Sequence, residues 1–185
     1  MDSTSRLRQL LVKRSVSLGD FTLASGARSS YYIDARRTTM SGEGQLLTGR
    51  VCLAAILAAR WTPTHVGGLT LGADPISYAI ANEAFRSGVP MDAFTVRKAP
   101  KGHGTASQVE GGLPTDARVV VIEDSMTSGG SALKAADVLV DYGVEIVGML
   151  TLVDREEGGR ERVEAAGYEL ISVYPASDLV SLAKA

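Results

Sequence analysis

A chain of 185 residues is long enough for one domain with a substantial core, and 45% hydrophobic against 22% charged residues is an ordinary globular balance. A formal net charge of -2 argues against a general nucleic-acid binder, whose domain is usually strongly basic, yet leaves room for a local basic site for a small polyanion. Cys52 is the sole cysteine, no secretory signal opens the chain, and no run approaches the roughly 18 apolar residues of a membrane span, so a cytoplasmic protein with neither membrane nor nucleic-acid partner is expected.

Ser3 or Thr4 is expected to cap a first helix carrying Leu7, Leu10 and Leu11 on one face. A second helix is predicted over residues 45–59, with Leu46, Leu47, Leu53, Ala54 and Leu57 available for burial, and Pro63 breaks the chain after it. Residues 65–71 read as a short strand ending in Gly72, and Pro75 as the first residue of a helix reaching Arg86. Another strand is expected over 92–96. Residues 97–114 are polar and glycine-rich without periodicity, a long loop of the kind that is usually functional or disordered. The β-branched run Arg118-Val119-Val120-Val121-Ile122 suits a parallel strand buried on both faces. Gly129-Gly130-Ser131 opens a helical pattern that Gly143 stops. A strand over 144–153, a short helix over 161–166, a strand over 168–174 and a helix capped by Ser177 complete the chain. Strands alternating with helices imply an α/β fold with a central, mostly parallel sheet.

The segment from Val119 to Ser131 carries the chemistry. A buried strand delivers Glu123 and Asp124 to its carboxyl end, where ligands of open α/β sheets bind. Ser125, Met126, Thr127, Ser128, Gly129, Gly130 and Ser131 then lead into a helix, whose N-terminus suits a phosphate. Two acids are wrong for holding phosphate and right for accepting hydrogen bonds from vicinal sugar hydroxyls, so the segment describes a ribose 5-phosphate site. A P-loop's Gly-Lys-Ser/Thr ending is absent. A plain strand, turn and helix cap is the alternative; strand, acid pair and helix start in this order outweigh it.

Arg97, Lys98, Lys101 and His103 lie in the glycine-flanked loop, where four cationic or titratable groups need an anion to be worth ordering; the alternative is a solvated charge run. Asp74 in loop 67–75 is expected to cap the next helix. Tyr31 and Tyr32 are adjacent and face opposite ways in a strand. Arg155 ends an apolar strand, where its guanidinium can hold a flat ring or carboxylate or simply pair with Glu156 or Glu157. His65 is expected to be structural.

Residues 119–131 resemble the motif of type I phosphoribosyltransferases that binds phosphoribosyl pyrophosphate (PRPP). Phe21-Thr22-Leu23-Ala24-Ser25-Gly26 with Ser29-Ser30-Tyr31-Tyr32-Ile33-Asp34, the loop from Val96 to Gly104, and Asp154-Arg155-Glu156-Glu157-Gly158-Gly159 are similar, in consistent order, to signatures of the orotate phosphoribosyltransferases. The resemblance implies one phosphoribosyltransferase domain over 1–185, with a small N-terminal hood from about residues 1–40 plus the C-terminal segment, and a mobile loop at about 97–114. It implies transfer of the phosphoribosyl group of PRPP to orotate, giving orotidine 5′-monophosphate and pyrophosphate in pyrimidine biosynthesis. It places PRPP against Arg97, Lys98, Lys101, His103, Glu123, Asp124 and residues 125–131, gives Lys101, His103 and Asp124 catalytic roles, and sets orotate against Tyr32, Ile33, Thr127 and Arg155. Mg²⁺ is expected on the oxygens of PRPP without direct protein ligands, and a homodimer with shared active sites is expected. The chain has no lysine in loop 67–75, where many relatives carry one, and has Ala24 where some relatives have a lysine. Rival readings are a purine or uracil phosphoribosyltransferase, and a PRPP-sensing regulator of RNA or DNA; the 21–34 signature with Arg155 disfavours the first, the negative charge the second.

Overall fold

The computed structural model describes residues 2–22, 26, 28–100 and 107–185. In chain order it comprises α1 (Ser3–Ser15), β1 (Val16–Thr22), β2 (Arg28–Ile33), α2 (Arg36–Thr39), α3 (Gly42–Ala59), β3 (His65–Leu69), α4 (Ala73–Arg86), β4 (Asp92–Val96), β5 (Val109–Glu110), β6 (Arg118–Met126), α5 (Gly130–Tyr142), β7 (Glu145–Asp154), α6 (Gly159–Ala165), β8 (Leu170–Pro175) and α7 (Ala176–Lys184).

The β-branched run of β6 sits inside a six-stranded sheet of order β5-β4-β3-β6-β7-β8, parallel except for β5, which runs antiparallel to β4. Side chains alternate across a strand, and the run serves two cores at once. Val120 and Ile122 pack with residues of α1, α3, α4 and α7 on one face, while Val119 and Val121 pack with residues of α5 and α6 on the other. Helices on both faces confirm the α/β expectation and explain why the run is apolar without alternation.

The parallel strands begin at β3, go outward to β4, and then cross back to β6 on the other side of β3. That reversal is a topological switch point, where the loops leaving neighbouring strands part and a crevice opens. Pairing of β3 with β6 stops at Gly67↔Val121, whereas β6 continues against β7 as far as Met126↔Asp154. Close approach of β3 here requires Gly68, since a Cβ at that position would collide with the Ile122 carbonyl oxygen.

Several local expectations are corrected. Ser3 and Thr4 are already helical; Asp2 caps α1, accepting the Ser5 N–H at 2.9 Å. α3 starts earlier, at Gly42 behind Ser41, and buries Leu47, Val51, Cys52, Leu53 and Ile56, leaving Leu46, Ala54 and Leu57 exposed. The loop at 97–114 contains β5, which borders β4. Asp74 lies inside α4, whose N-cap residue is Gly72. At α7 the N-cap residue is Pro175, and the Ser177 N–H donates to the Glu156 carboxylate at 2.8 Å. β1 and β2 form a separate antiparallel hairpin. The Tyr174 hydroxyl donates to the Thr4 carbonyl at 2.8 Å, tying α1 to β8.

Candidate active site

A cleft of about 330 Å³ opens at the switch point. Its floor is the end of β6, with Glu123, Asp124 and Ser125. One side is the turn after β3, from Leu69 to Gly72; the other carries Thr127 and Ser131 at the start of α5. Tyr32, Ile33, Asp34 and Arg36 approach from the hairpin and α2, Lys98 from the end of β4, and Arg155 from the end of β7. Residues scattered over the sequence thus converge where the topology requires.

Burial is the main force on the acid pair. It raises Glu123 well above the ordinary carboxylate range, with the neighbouring Asp124 charge adding to the effect. Burial also raises Asp124, opposed by the Ser125 N–H and the positive Arg36. Asp124 rests against Gly72, where any Cβ would strike its carboxylate. Across the floor, Gly129 takes the left-handed conformation at φ 71°, and α5 begins with no side-chain cap on its first N–H groups, the arrangement that accepts an anion.

At the other end, Tyr31 and Tyr32 do face opposite ways. Tyr31 packs toward the core beneath Arg155, whose guanidinium carbon lies 4.9 Å from the ring centroid. Tyr32 is exposed beside the cleft, 5.8 Å from the Phe21 ring. Arg155 is only 6% exposed, so it is no surface pair, although its Nη2 meets Glu157 at 3.2 Å. Its buried Nε has no hydrogen-bond partner. Glu156, the other expected partner, is occupied at α7.

Other expected site residues are distributed differently. Met126 is buried between β6 and α5, so its side chain packs in the core. Ser128, Gly129 and Gly130 lie beside the walls and form the entry to α5. Arg97 lies outside this chain's own cleft, 3.7 Å from Glu110, with its backbone paired to Gln108. Lys101, His103 and Ala24 fall outside the described residues. His65 is structural in kind: buried, 2.9 Å from the Thr64 hydroxyl, and lowered in pKa by burial. Asp74, expected as a cap, instead accepts the hydroxyls of Thr70 at 2.6 Å and Thr95 at 2.9 Å, bracing the turn that contains the cis Thr70–Leu71 peptide. Sequence reasoning missed Asp34 and Arg36 as paired cleft residues; the one available signal was the charged set Asp34, Arg36, Arg37 directly after Tyr31-Tyr32-Ile33. Among the described residues no cluster of three or more His, Cys, Asp or Glu side chains is arranged to hold a metal.

The phosphoribosyl transferase domain family matches residues 50–173. An orotate phosphoribosyltransferase of Aquifex aeolicus is 45% identical over 178 residues, covering 95% of this chain and 96% of that protein. The chain belongs to the orotate phosphoribosyltransferase family. Among solved structures similar to it, the Mycobacterium tuberculosis orotate phosphoribosyltransferase bound to PRPP superimposes with a TM-score of 0.78 at 38% identity, covering 96% of this chain and 99% of that one. The Aeropyrum pernix orotate phosphoribosyltransferase gives a TM-score of 0.78 at 37% identity, over 95% and 96%. The 95% coverage of this chain by the Aquifex aeolicus relative extends well beyond residues 50–173, so every wall of the cleft lies within the matched length.

The raised acid pair makes a prediction about stability. A carboxyl whose pKa is raised by folding contributes stability that is present at low pH and lost as pH rises through the raised value. Glu123→Gln removes that loss. The ligand-free variant should therefore melt above wild type by an amount that grows from about pH 5 to about pH 9, reaching on the order of 1–2 kcal/mol. Thermal unfolding across this range checks it; a pH-independent difference, or a variant that melts lower at high pH, contradicts the assignment.

Proposed function

We propose that this protein transfers the phosphoribosyl group of PRPP to orotate, forming orotidine 5′-monophosphate and releasing pyrophosphate. The observation that carries this reading is the half-buried acid pair set between the uncapped start of α5 and the Tyr32–Arg155 end of one cleft. The 5′-phosphate of PRPP lies at the start of α5, donated to by backbone N–H groups and the hydroxyls of Thr127 and Ser131. Glu123 and Asp124 accept hydrogen bonds from the ribose hydroxyls. Tyr32 and Ile33 border the flat pyrimidine, and Arg155, with its unpaired Nε, binds its polar edge. Lys98, with Lys101 and His103 from the adjoining loop, binds the pyrophosphate side.

Bond breaking at C1 of the ribose develops positive charge on the sugar as pyrophosphate departs, and the orotate ring nitrogen attacks the opposite face. Asp124 stabilises that charge when ionised, and catalysis is mostly positioning with electrostatic support. Two carboxylates at one point are too few for a protein-only Mg²⁺ cage and suit an ion carried in on the substrate's own oxygens. An Mg²⁺ ion bound there would supply positive charge against the leaving group. The β1–β2 hairpin with α7 serves as the hood over this end of a single domain, and the segment 97–114 as the loop that closes it. No helix among the described residues is long and apolar enough to cross a membrane, and a cytoplasmic location fits the metabolite chemistry.

Ultraviolet absorbance should show orotate consumption that requires both PRPP and Mg²⁺. Asp124→Asn keeps the shape and removes the balancing charge, so turnover should fall at least ~100-fold. An unchanged turnover in the folded variant would remove Asp124 from the mechanism.

The working form is a homodimer in which the loop bearing Arg97 and Lys101 reaches the partner's PRPP. Arg97 supports this, since it lies outside its own cleft, turned toward β5 and Glu110. Lys101→Ala and Asp124→Asn should each be inactive alone. After subunit exchange, a mixed dimer holds one site with both lesions and one with neither, so about a quarter of all sites regain activity under random pairing. Verified mixed dimers with no gain place each site within one chain.

A further inference from the structure

Charge is unevenly supplied around the cleft. Its described cations are Lys98, Arg155 and Arg36. Arg155 is committed to the Tyr31 end and to Glu157. The turn from Leu69 to Gly72 contributes backbone and the side chains of Leu and Thr, and no residue from 67 to 75 is cationic. Yet a substrate with its 5′-phosphate at α5 and its hydroxyls on Glu123 and Asp124 directs the opposite end of its sugar, and hence its pyrophosphate, toward that turn.

Arg36 stands at this end. Its Nε donates to Asp34 Oδ1 at 2.8 Å and its Nη2 to Asp34 Oδ2 at 3.2 Å, a two-point pairing that fixes the plane of the guanidinium. Its charge also acts on Asp124, and Asp124 in turn rests on Gly72. Arg36 lines the cleft together with Thr70, Leu71 and Gly72 and shares the neighbouring cavity with Leu71, which places it beside the cation-free turn. The side chain remains 43% exposed, open to a ligand. Behind it lies a second cavity of about 370 Å³, which shares Asp34, Arg36 and Leu71 with the cleft and adds Arg14 and Arg37. Arginine side chains thus continue from the cleft into this second cavity, beside the turn.

We propose that Arg36 is a pyrophosphate-binding residue, held in place by Asp34, and that it supplies the positive charge the turn after β3 lacks. This rests on the phosphoribosyl reading for the direction of the substrate. The pairing with Asp34 engages Nε and Nη2 of the guanidinium and leaves its remaining N–H groups for phosphate oxygens.

Calorimetric titration with inorganic pyrophosphate and, separately, ribose 5-phosphate, both with Mg²⁺, tests the assignment on wild type, Arg36→Ala and Arg36→Lys. Pyrophosphate affinity should fall at least ~10-fold in Arg36→Ala and recover in part in Arg36→Lys, while ribose 5-phosphate affinity stays within about twofold. In turnover assays KM for PRPP should rise with KM for orotate unchanged. Should the alanine variant fail to fold, Arg36→Gln keeps the stem and tests the charge. Equal weakening of both ligands assigns Arg36 a structural role and overturns the proposal, as does unchanged pyrophosphate binding. Wild type that binds pyrophosphate through Arg36 but consumes no orotate would sink the transferase reading and leave this one standing.

Discussion

Glu123 and Asp124 reach the cleft because β6 is buried on both faces up to Ile122 and stays paired with β7 beyond the point where β3 leaves it. Two carboxyls are thereby delivered, side by side, to a place where water is partly excluded. Burial and mutual repulsion make that arrangement unfavourable in the free protein. Groups that accept such an arrangement are commonly functional, because a ligand with hydroxyls and developing positive charge relieves it. The rest of the site is organised around this tension: Arg36 and the Ser125 N–H oppose the rise that burial imposes on Asp124 without cancelling it, and Gly72 leaves it room.

Around the acids, the walls divide by chemistry. Backbone N–H groups, hydroxyls and Gly129 lie toward α5; aromatic and guanidinium faces lie toward the hairpin; Arg36 and the bare turn lie toward α2. Each comes from a different segment, and each segment is fixed by something other than the ligand. The turn after β3 is braced by Asp74 through Thr70 and Thr95, and the strand-end arginine by Tyr31 and Glu157. A preorganised cleft of this kind performs positioning without a large conformational cost.

The sheet was legible because its signals are local and redundant. Val119 to Ile122 are all β-branched, and the strand at 92–96 and the helix stop at Gly143 were read at their true positions. The motif from Glu123 to Ser131 was legible because the strand end, the acids and the helix start follow one another directly. Where the sequence misled, the deciding partner was distant or the signal degenerate. α3 is apolar nearly all round, so only packing selects Ile56 over Leu57 for burial. Asp74 reads as a helix cap until Thr95, 21 positions on, claims it. Glu156 and Ser177, equally far apart, meet only once β8 is in place. Arg36 lies in a four-residue helix, too short to show a period, and its importance depends on Asp124, which only the fold brings near.

The central claim is that the acid pair binds the ribose hydroxyls. Titration of the protein with ribose 5-phosphate at neutral pH, in buffers of different ionisation heat, tests it most directly. Hydrogen bonds from the sugar favour ionised carboxyls, so binding should release protons, and 2-deoxyribose 5-phosphate should bind at least ~5-fold more weakly with less release. Equal affinity for the two sugars, with no proton released by either, would contradict the account.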